Sequence, residues 1–81
     1  MIKIYGKKDC KSCDEAVEYC KLKDIPYEYT SLGGGFQISE MQDINKTHKS
    51  FPMIVDCYFD GGKEVVEYIG TLNHLKSWLL K

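Results

Sequence analysis

The sequence predicts an α/β fold in which one mixed four-stranded sheet is flanked by three helices. Segments with strand-like and helix-like patterns follow one another in the order β-α-β-α-β-β-α. The first β-α-β unit is expected to form a parallel pair of strands with a right-handed crossover. The last two strands are separated by Asp60-Gly61-Gly62, which is typical of a hairpin turn. At 81 residues, the chain predicts one domain over residues 1–81.

Residues 2–5 alternate around a single charge and predict the first strand. Residues 11–23 predict the first helix, since their apolar side chains fall on one face. The apolar positions are Cys13, Ala16, Val17 and Cys20. Asp9 is the expected N-cap, and Pro26 ends the pattern because the residues before a proline avoid helical geometry. The aromatic and β-branched residues 27–30 predict the second strand.

Three consecutive glycines, at positions 33–35, predict a loop before the second helix. Ser39 followed three residues later by Gln42 has the form of a capping box, which predicts a helix over residues 40–46. Residues 53–59 and 63–69 predict the two hairpin strands. Thr71 is the expected N-cap of the last helix, whose apolar residues are Leu72, Leu75, Trp78 and Leu79.

Composition and charge exclude several classes of function. The net charge is −1, from 11 basic and 12 acidic side chains, which disfavours a nucleic-acid-binding protein. No uncharged run is long and apolar enough to span a bilayer, and the first residues lack the apolar core of a secretory signal. We therefore expect a cytoplasmic protein, or host cytoplasm if a phage encodes it. Thiols stay reduced there, so its four cysteines are expected to be catalytic or metal-binding.

The strongest chemical signal is Cys10-Lys11-Ser12-Cys13, at the junction of the first strand and helix. This spacing brings both sulfur atoms onto the first helical turn. The unpaired N–H groups and partial positive charge of a helix N-terminus stabilise a thiolate, as do the nearby Lys7 and Lys8. The sequence therefore predicts a redox-active pair in which the more exposed Cys10 attacks a disulfide and the more buried Cys13 resolves the intermediate.

A zinc site is the main alternative use of two cysteines at this spacing, and a purely structural disulfide is another. Zinc would need two more ligands, but Cys20 lies about 10 Å beyond Cys13 by helical rise. The remaining candidates are isolated in sequence: Cys57, His48 and His74. We favour redox chemistry, with no metal, and expect Cys20 and Cys57 to be buried and both histidines to lie on the surface.

The arrangement of these motifs resembles the glutaredoxin branch of the thioredoxin-like proteins, over nearly the full chain. The resemblance rests on the C-x-x-C after a first strand, Ile25-Pro26-Tyr27 before a second, Phe51-Pro52 before a third and Gly70 opening the last helix. It implies the thioredoxin-like fold and glutathione-dependent reduction of protein disulfides or glutathione mixed disulfides. It also implies glutathione as reductant and protein partners such as ribonucleotide reductase. We expect no tightly bound cofactor and, since the sequence gives no evidence for an oligomer, a monomer.

The resemblance also assigns roles to residues. Cys10 becomes the nucleophile and Cys13 the resolving thiol, while Pro52 matches the family's cis-proline. The residues expected to bind glutathione or substrate are Lys7, Lys11, Phe51, Pro52, Gly70, Thr71 and Asn73. Lys7 matches a lysine that meets a glutathione carboxylate, and the start of the last helix matches the stretch that holds the γ-glutamyl carboxylate, consistent with a helix N-terminus as an anion site.

The chain departs from the usual pattern in three places. Lys11-Ser12 replaces Pro-Tyr between the cysteines, Phe51 replaces a valine, and Gly70-Thr71 replaces Gly-Gly. The third place also includes Asn73-His74, which stand where acidic residues are usual. The alternatives are a small redoxin reduced by thioredoxin reductase, an iron–sulfur protein that uses Cys10 and glutathione between two subunits, and a zinc-stabilised interaction module.

Overall fold

The computed structural model describes residues 1–48 and 50–80. Within these residues it contains four strands and three helices in the predicted order. The strands are β1 (Ile2–Gly6), β2 (Tyr27–Ser31), β3 (Met53–Asp60) and β4 (Lys63–Gly70). The helices are α1 (Lys11–Leu22), α2 (Ile38–Ile44) and α3 (Leu72–Leu79). No helix in the described residues is long and apolar enough to cross a membrane.

The strands form a mixed sheet in the order β2-β1-β3-β4. β1 pairs in parallel with β2 and antiparallel with β3, and β3 pairs antiparallel with β4. Asp60 pairs with Lys63 across a two-glycine turn. Gly61 and Gly62 have φ values of 62° and 84°, the left-handed geometry that favours glycine and matches the twist of a hairpin. The predicted fold class is confirmed.

Apolar side chains pack on both faces of the sheet. The cluster on the face covered by α1 and α3 comprises Ile2, Ile4, Ala16, Cys20, Ile54, Ile69 and Leu75. The cluster on the face covered by α2 comprises Tyr5, Phe36, Met41, Met53 and Val55. Since β1 and β3 contribute to both clusters, these central strands are buried on both faces and hold the ends of the neighbouring loops in place.

The second helix begins two residues earlier than predicted, so the predicted Ser39 cap is wrong. Gln37 is the N-cap, and the Glu40 carboxylate accepts its backbone N–H at 3.1 Å. The observed capping box, Gln37 with Glu40, begins two residues before the predicted box, Ser39 with Gln42. Apolar packing selects the earlier one, since Phe36 and Met41 are both buried against the sheet. The helix ends at Ile44, before the predicted Lys46.

Replacing Leu75 with alanine is expected to lower the free energy of unfolding by about 2–5 kcal/mol. Leu75 is 0% exposed and joins α3 to the core, so truncating it leaves a cavity under the helix. The measurement is urea denaturation followed by circular dichroism. Leu80→Ala is the matched control, because Leu80 is 88% exposed and its truncation should change the free energy by no more than about 0.5 kcal/mol. Equal effects at both positions would contradict the assigned packing of α3.

Candidate active site

Cys10 is the N-cap of α1 and orients the first turn of that helix. Its backbone is extended, and its sulfur accepts the backbone N–H of Cys13 at 3.2 Å. Its carbonyl accepts the N–H of Asp14 at 3.1 Å, which closes the first helical turn. The expectation that Asp9 caps the helix is wrong, since Asp9 adopts a left-handed φ of 57° one residue before the cap. A cysteine therefore occupies the position where a side-chain acceptor meets the free N–H groups.

Cys10 and Cys13 form a disulfide, and their Cα atoms are 5.3 Å apart. Cys10 is half-buried, whereas Cys13 is 0% exposed, as predicted. A substrate can reach the sulfur of Cys10 from solvent. The Cys13 side chain is enclosed, so the two cysteines differ in exposure as an attacking and a resolving thiol require.

The loop before β3 lies beside this pair. The antiparallel register of β1 and β3 sets Tyr5 opposite Met53, so the loop residues Phe51 and Pro52 fall next to the end of β1 from which the chain enters α1. The peptide bond between Phe51 and Pro52 is cis, as the resemblance implies. The Lys7 ammonium lies 5.3 Å from the centroid of the Phe51 ring, within the range of a cation–π contact.

A cavity of about 250 Å³ opens between α1, this loop and the start of α3. It is lined by Ser12, Glu15, Phe51, Pro52, Thr71, Leu72 and Asn73. Four of the expected binding residues therefore share one cavity. Lys7 borders it through Phe51, whereas Lys11 lines a separate groove between α1 and α3. Ser12, Glu15 and Leu72 were not predicted to line it; the position of Glu15 two residues after Cys13 was the available signal.

The N-terminus of α3 is capped from within the chain. The Thr71 backbone N–H donates to Nδ1 of His74 at 3.1 Å, so the His74 ring accepts one of the N–H groups at the start of the helix. Gly70 precedes this turn with a φ of 126°, and a Cβ atom at Gly70 would lie 2.6 Å from the same Nδ1. Gly70 is therefore required by the turn and by the close approach of His74, and it does not line the cavity.

His48 is buried, which contradicts the expected surface position. Its Nδ1 is hydrogen-bonded to the Tyr68 hydroxyl, and its Nε2 lies 3.4 Å from the Ser50 hydroxyl. The Asn45 side chain accepts the backbone N–H groups of Thr47 and His48 at 2.9 and 3.1 Å, which turns the chain inward after α2. No local sequence pattern predicts a turn held by an asparagine side chain together with a contact to a distant strand such as β4. His74 is exposed, as predicted.

Cys20 and Cys57 are not disulfide-bonded. Cys20 is fully buried, as predicted, whereas Cys57 is only half-buried. Burial raises the pKa of both thiols; the nearby Lys3 opposes this increase at Cys57. Within residues 1–48 and 50–80, no group of three or more Cys, His, Asp or Glu side chains could hold a metal ion.

The raised pKa values predict how alkylation of these two thiols depends on pH. A thiol with a raised pKa has less thiolate at a given pH, so the modification of Cys57 by iodoacetamide at pH 7 should be slower than in the urea-unfolded chain. The rate should rise with pH and level off at a higher pH than in the unfolded chain. Cys20 should stay unmodified until the chain unfolds, since it is inaccessible. Mass mapping of the alkylated peptides measures this, and faster labelling of Cys57 in the folded protein would contradict it.

No protein-family model and no curated protein matches the sequence. Solved structures do match it. A structure of glutaredoxin 1 from Francisella tularensis, complexed with cacodylate, superposes with a TM-score of 0.64 at 20% identity, covering 99% of this chain and 96% of that chain. The chain has a thioredoxin-like fold. A point mutant of a thioredoxin-like protein superposes on the same fold with a TM-score of 0.62 at 20% identity, covering 98% of this chain and 99% of that chain. At 20% identity both matches show the fold, so the role of each residue is inferred from its position and contacts.

Proposed function

We propose that the protein is a thiol–disulfide oxidoreductase in which Cys10 attacks and Cys13 resolves. The observation that carries this proposal is the Cys10–Cys13 pair at the N-terminus of α1, with the Cys13 N–H directed at the Cys10 sulfur. In the reduced protein the same N–H is placed to stabilise a thiolate on Cys10, since a charged acceptor strengthens the hydrogen bond. The partial positive charge of the helix N-terminus acts in the same direction.

The reaction balances over two exchanges. The Cys10 thiolate attacks one sulfur of a substrate disulfide, forms a mixed disulfide and releases the first substrate thiolate, which takes a proton. Cys13, deprotonated in turn, attacks the Cys10 sulfur and releases the second substrate thiolate. The substrate gains two electrons and two protons, and the protein is left with the Cys10–Cys13 disulfide. Two glutathione molecules would return it to the dithiol and leave as glutathione disulfide.

Glutathione is the reductant that we propose, and the cavity beside Pro52 supports it. A γ-glutamyl group ends in a carboxylate and an ammonium. The start of α3 offers N–H groups for the carboxylate, and Glu15 across the cavity offers an acidic partner for the ammonium. Lys7, beside Phe51, is the proposed partner of the glycyl carboxylate. The proposed protein substrates are proteins that contain a disulfide bond, and ribonucleotide reductase is one candidate.

Reduction by thioredoxin reductase is the second candidate, because one observation favours it. The Thr71 N–H is already occupied by His74, so a glutathione carboxylate would have to displace the imidazole at this amide. A flavin reductase that passes electrons directly to the Cys10–Cys13 disulfide needs no such amide. The two candidates use the same cysteine chemistry and differ in the electron source.

Two parallel assays of NADPH consumption with a small disulfide substrate test the proposal. One assay supplies glutathione and glutathione reductase, and the other supplies thioredoxin reductase alone. Turnover in the first supports glutathione as reductant; turnover only in the second supports the alternative. Cys57→Ser is the control, because Cys57 lies on β3 outside the proposed mechanism and its loss should leave the rate within about twofold. Absence of turnover in both assays would overturn the proposed function.

A further inference from the structure

A second, smaller cavity lies on the other side of Phe51, between α2 and the loop before β3. Its volume is about 110 Å³, and it is lined by Ile38, Met41, Gln42, His48 and Phe51. At about 30 Å³ for each water molecule, this volume equals three to four waters. That space suits one branched or thioether side chain of the size of leucine, isoleucine or methionine.

The lining of this cavity is mainly apolar and runs from the core to the surface. Met41 is 2% exposed and forms part of the core, whereas Ile38 is 44% exposed at the first turn of α2. Both ring nitrogens of His48 have partners, the hydroxyls of Tyr68 and Ser50, so its ring is fixed as part of the wall. An apolar group in the cavity would therefore contact carbon atoms without leaving a buried polar group unpaired.

Phe51 connects this cavity to the active site. Phe51 lines both the cavity beside Pro52 and the cavity under α2, so a bound polypeptide that passes over Phe51 can contact both cavities. Lys7 lies over the Phe51 ring, which places a positive charge at the point where the two cavities meet. Lys7 and Lys8 are both exposed. A polypeptide that crosses this point would gain from an acidic side chain near Lys7.

We propose that the cavity under α2 binds an apolar side chain of a protein substrate whose disulfide is attacked by Cys10. The occupant is an extended polypeptide segment with a leucine-sized residue near its disulfide cysteine and an acidic residue that meets Lys7. This inference rests on the proposed function and deepens it, since it distinguishes protein disulfides from glutathione. Glutathione has no apolar side chain to fill the cavity, so the cavity adds affinity only for polypeptides.

The experiment compares peptides joined to glutathione through a single cysteine. In one series, a leucine is placed in turn at each of the two positions before the cysteine and the two positions after it. In the matched series, a serine takes the place of the leucine. Every peptide carries the same glutamate. Each buried methylene contributes about fourfold in affinity, so burying about two of the extra carbon groups of leucine should make the best leucine peptide exceed its serine counterpart by about tenfold or more in kcat/KM. Replacing the glutamate by lysine in that peptide should lower kcat/KM severalfold at low salt and less at high salt.

Ile38→Asp tests whether the preference arises at this cavity. Ile38 is exposed and occupies the first turn of α2, where an acidic residue suits the helix, so the variant should fold. Leu80→Asp is the matched control, because it introduces the same charge at an exposed apolar position at the end of α3. Each rate is divided by that variant's rate on hydroxyethyl disulfide, which cannot fill the cavity.

The leucine preference should fall to about twofold or less in Ile38→Asp and stay near tenfold in Leu80→Asp. A preference that persists in Ile38→Asp, or wild-type protein without a preference at any position, overturns the inference while the disulfide chemistry stands. Wild-type protein that fails to reduce even hydroxyethyl disulfide overturns the proposed function itself, and with it this inference. The two failures are therefore distinguishable.

Discussion

Replacing Cys10 with serine is expected to reduce turnover of disulfide substrates by about a thousandfold or more, to the background rate of the assay. The hydroxyl of serine is not ionised at neutral pH and does not displace a thiolate from a disulfide. Cys10 is also the cysteine whose sulfur is open to solvent at the start of α1. The measurement is NADPH consumption in whichever coupled assay supports the wild-type protein.

Serine can still accept the Cys13 N–H as an N-cap, so the fold of the Cys10→Ser variant should be retained. Its circular dichroism spectrum and unfolding midpoint serve as the control for folding. Wild-type turnover by a folded Cys10→Ser protein would assign the nucleophile to another cysteine.

Replacing Cys13 with serine is expected to stop the cycle at the mixed disulfide. Cys10 can still attack, but the thiol that releases the substrate is missing, so a covalent adduct with one substrate chain should accumulate. Reduction of protein disulfides should fall by about a hundredfold or more, whereas exchange on glutathione mixed disulfides should retain part of its rate, because a second glutathione can resolve the adduct. Intact mass and non-reducing gels measure the adduct.

Cys20→Ser is a poor control for this experiment, since Cys20 is fully buried, so Cys57→Ser is used. The combined Cys13→Ser and Cys57→Ser protein should form the same adduct, because the other remaining cysteine, Cys20, is fully buried. Loss of the adduct in this double variant would place the mixed disulfide on Cys57 and contradict the assignment.

The order of elements and the pairing of Cys10 with Cys13 at the start of α1 could be predicted from the sequence because their signals are local. The spacing of Cys10 and Cys13, the two glycines of the hairpin and the apolar face of α1 each fix a feature within a few residues. The start of α2 could not be fixed in the same way. Gln37 with Glu40 and Ser39 with Gln42 are both acceptable caps, and burial of Met41 and Phe36 against the sheet decides between them.

The parts of the site that depend on distant contacts could not be predicted. The burial of His48 depends on Tyr68, twenty residues away on β4. The capping of α3 by His74 replaces the free amide that the resemblance implies, and a histidine three residues after an N-cap has no established pattern. Glu15 and Asn73 face one cavity only because α1 and α3 lie side by side on the same face of the sheet.

A redox titration of the wild-type protein in glutathione buffers tests the central claim most directly. At each ratio of glutathione to glutathione disulfide, the exchange is quenched with acid, the chain is unfolded in urea so that the buried Cys13 and Cys20 are accessible, and the thiols are alkylated and located by peptide mass mapping. The proposed cycle predicts one reversible two-electron transition, in which Cys10 and Cys13 are alkylated together in the reduced protein and protected together in the oxidised one. Cys20 and Cys57 should stay thiols throughout. A pair that never oxidises, or a disulfide that involves Cys20 or Cys57, would contradict the proposal.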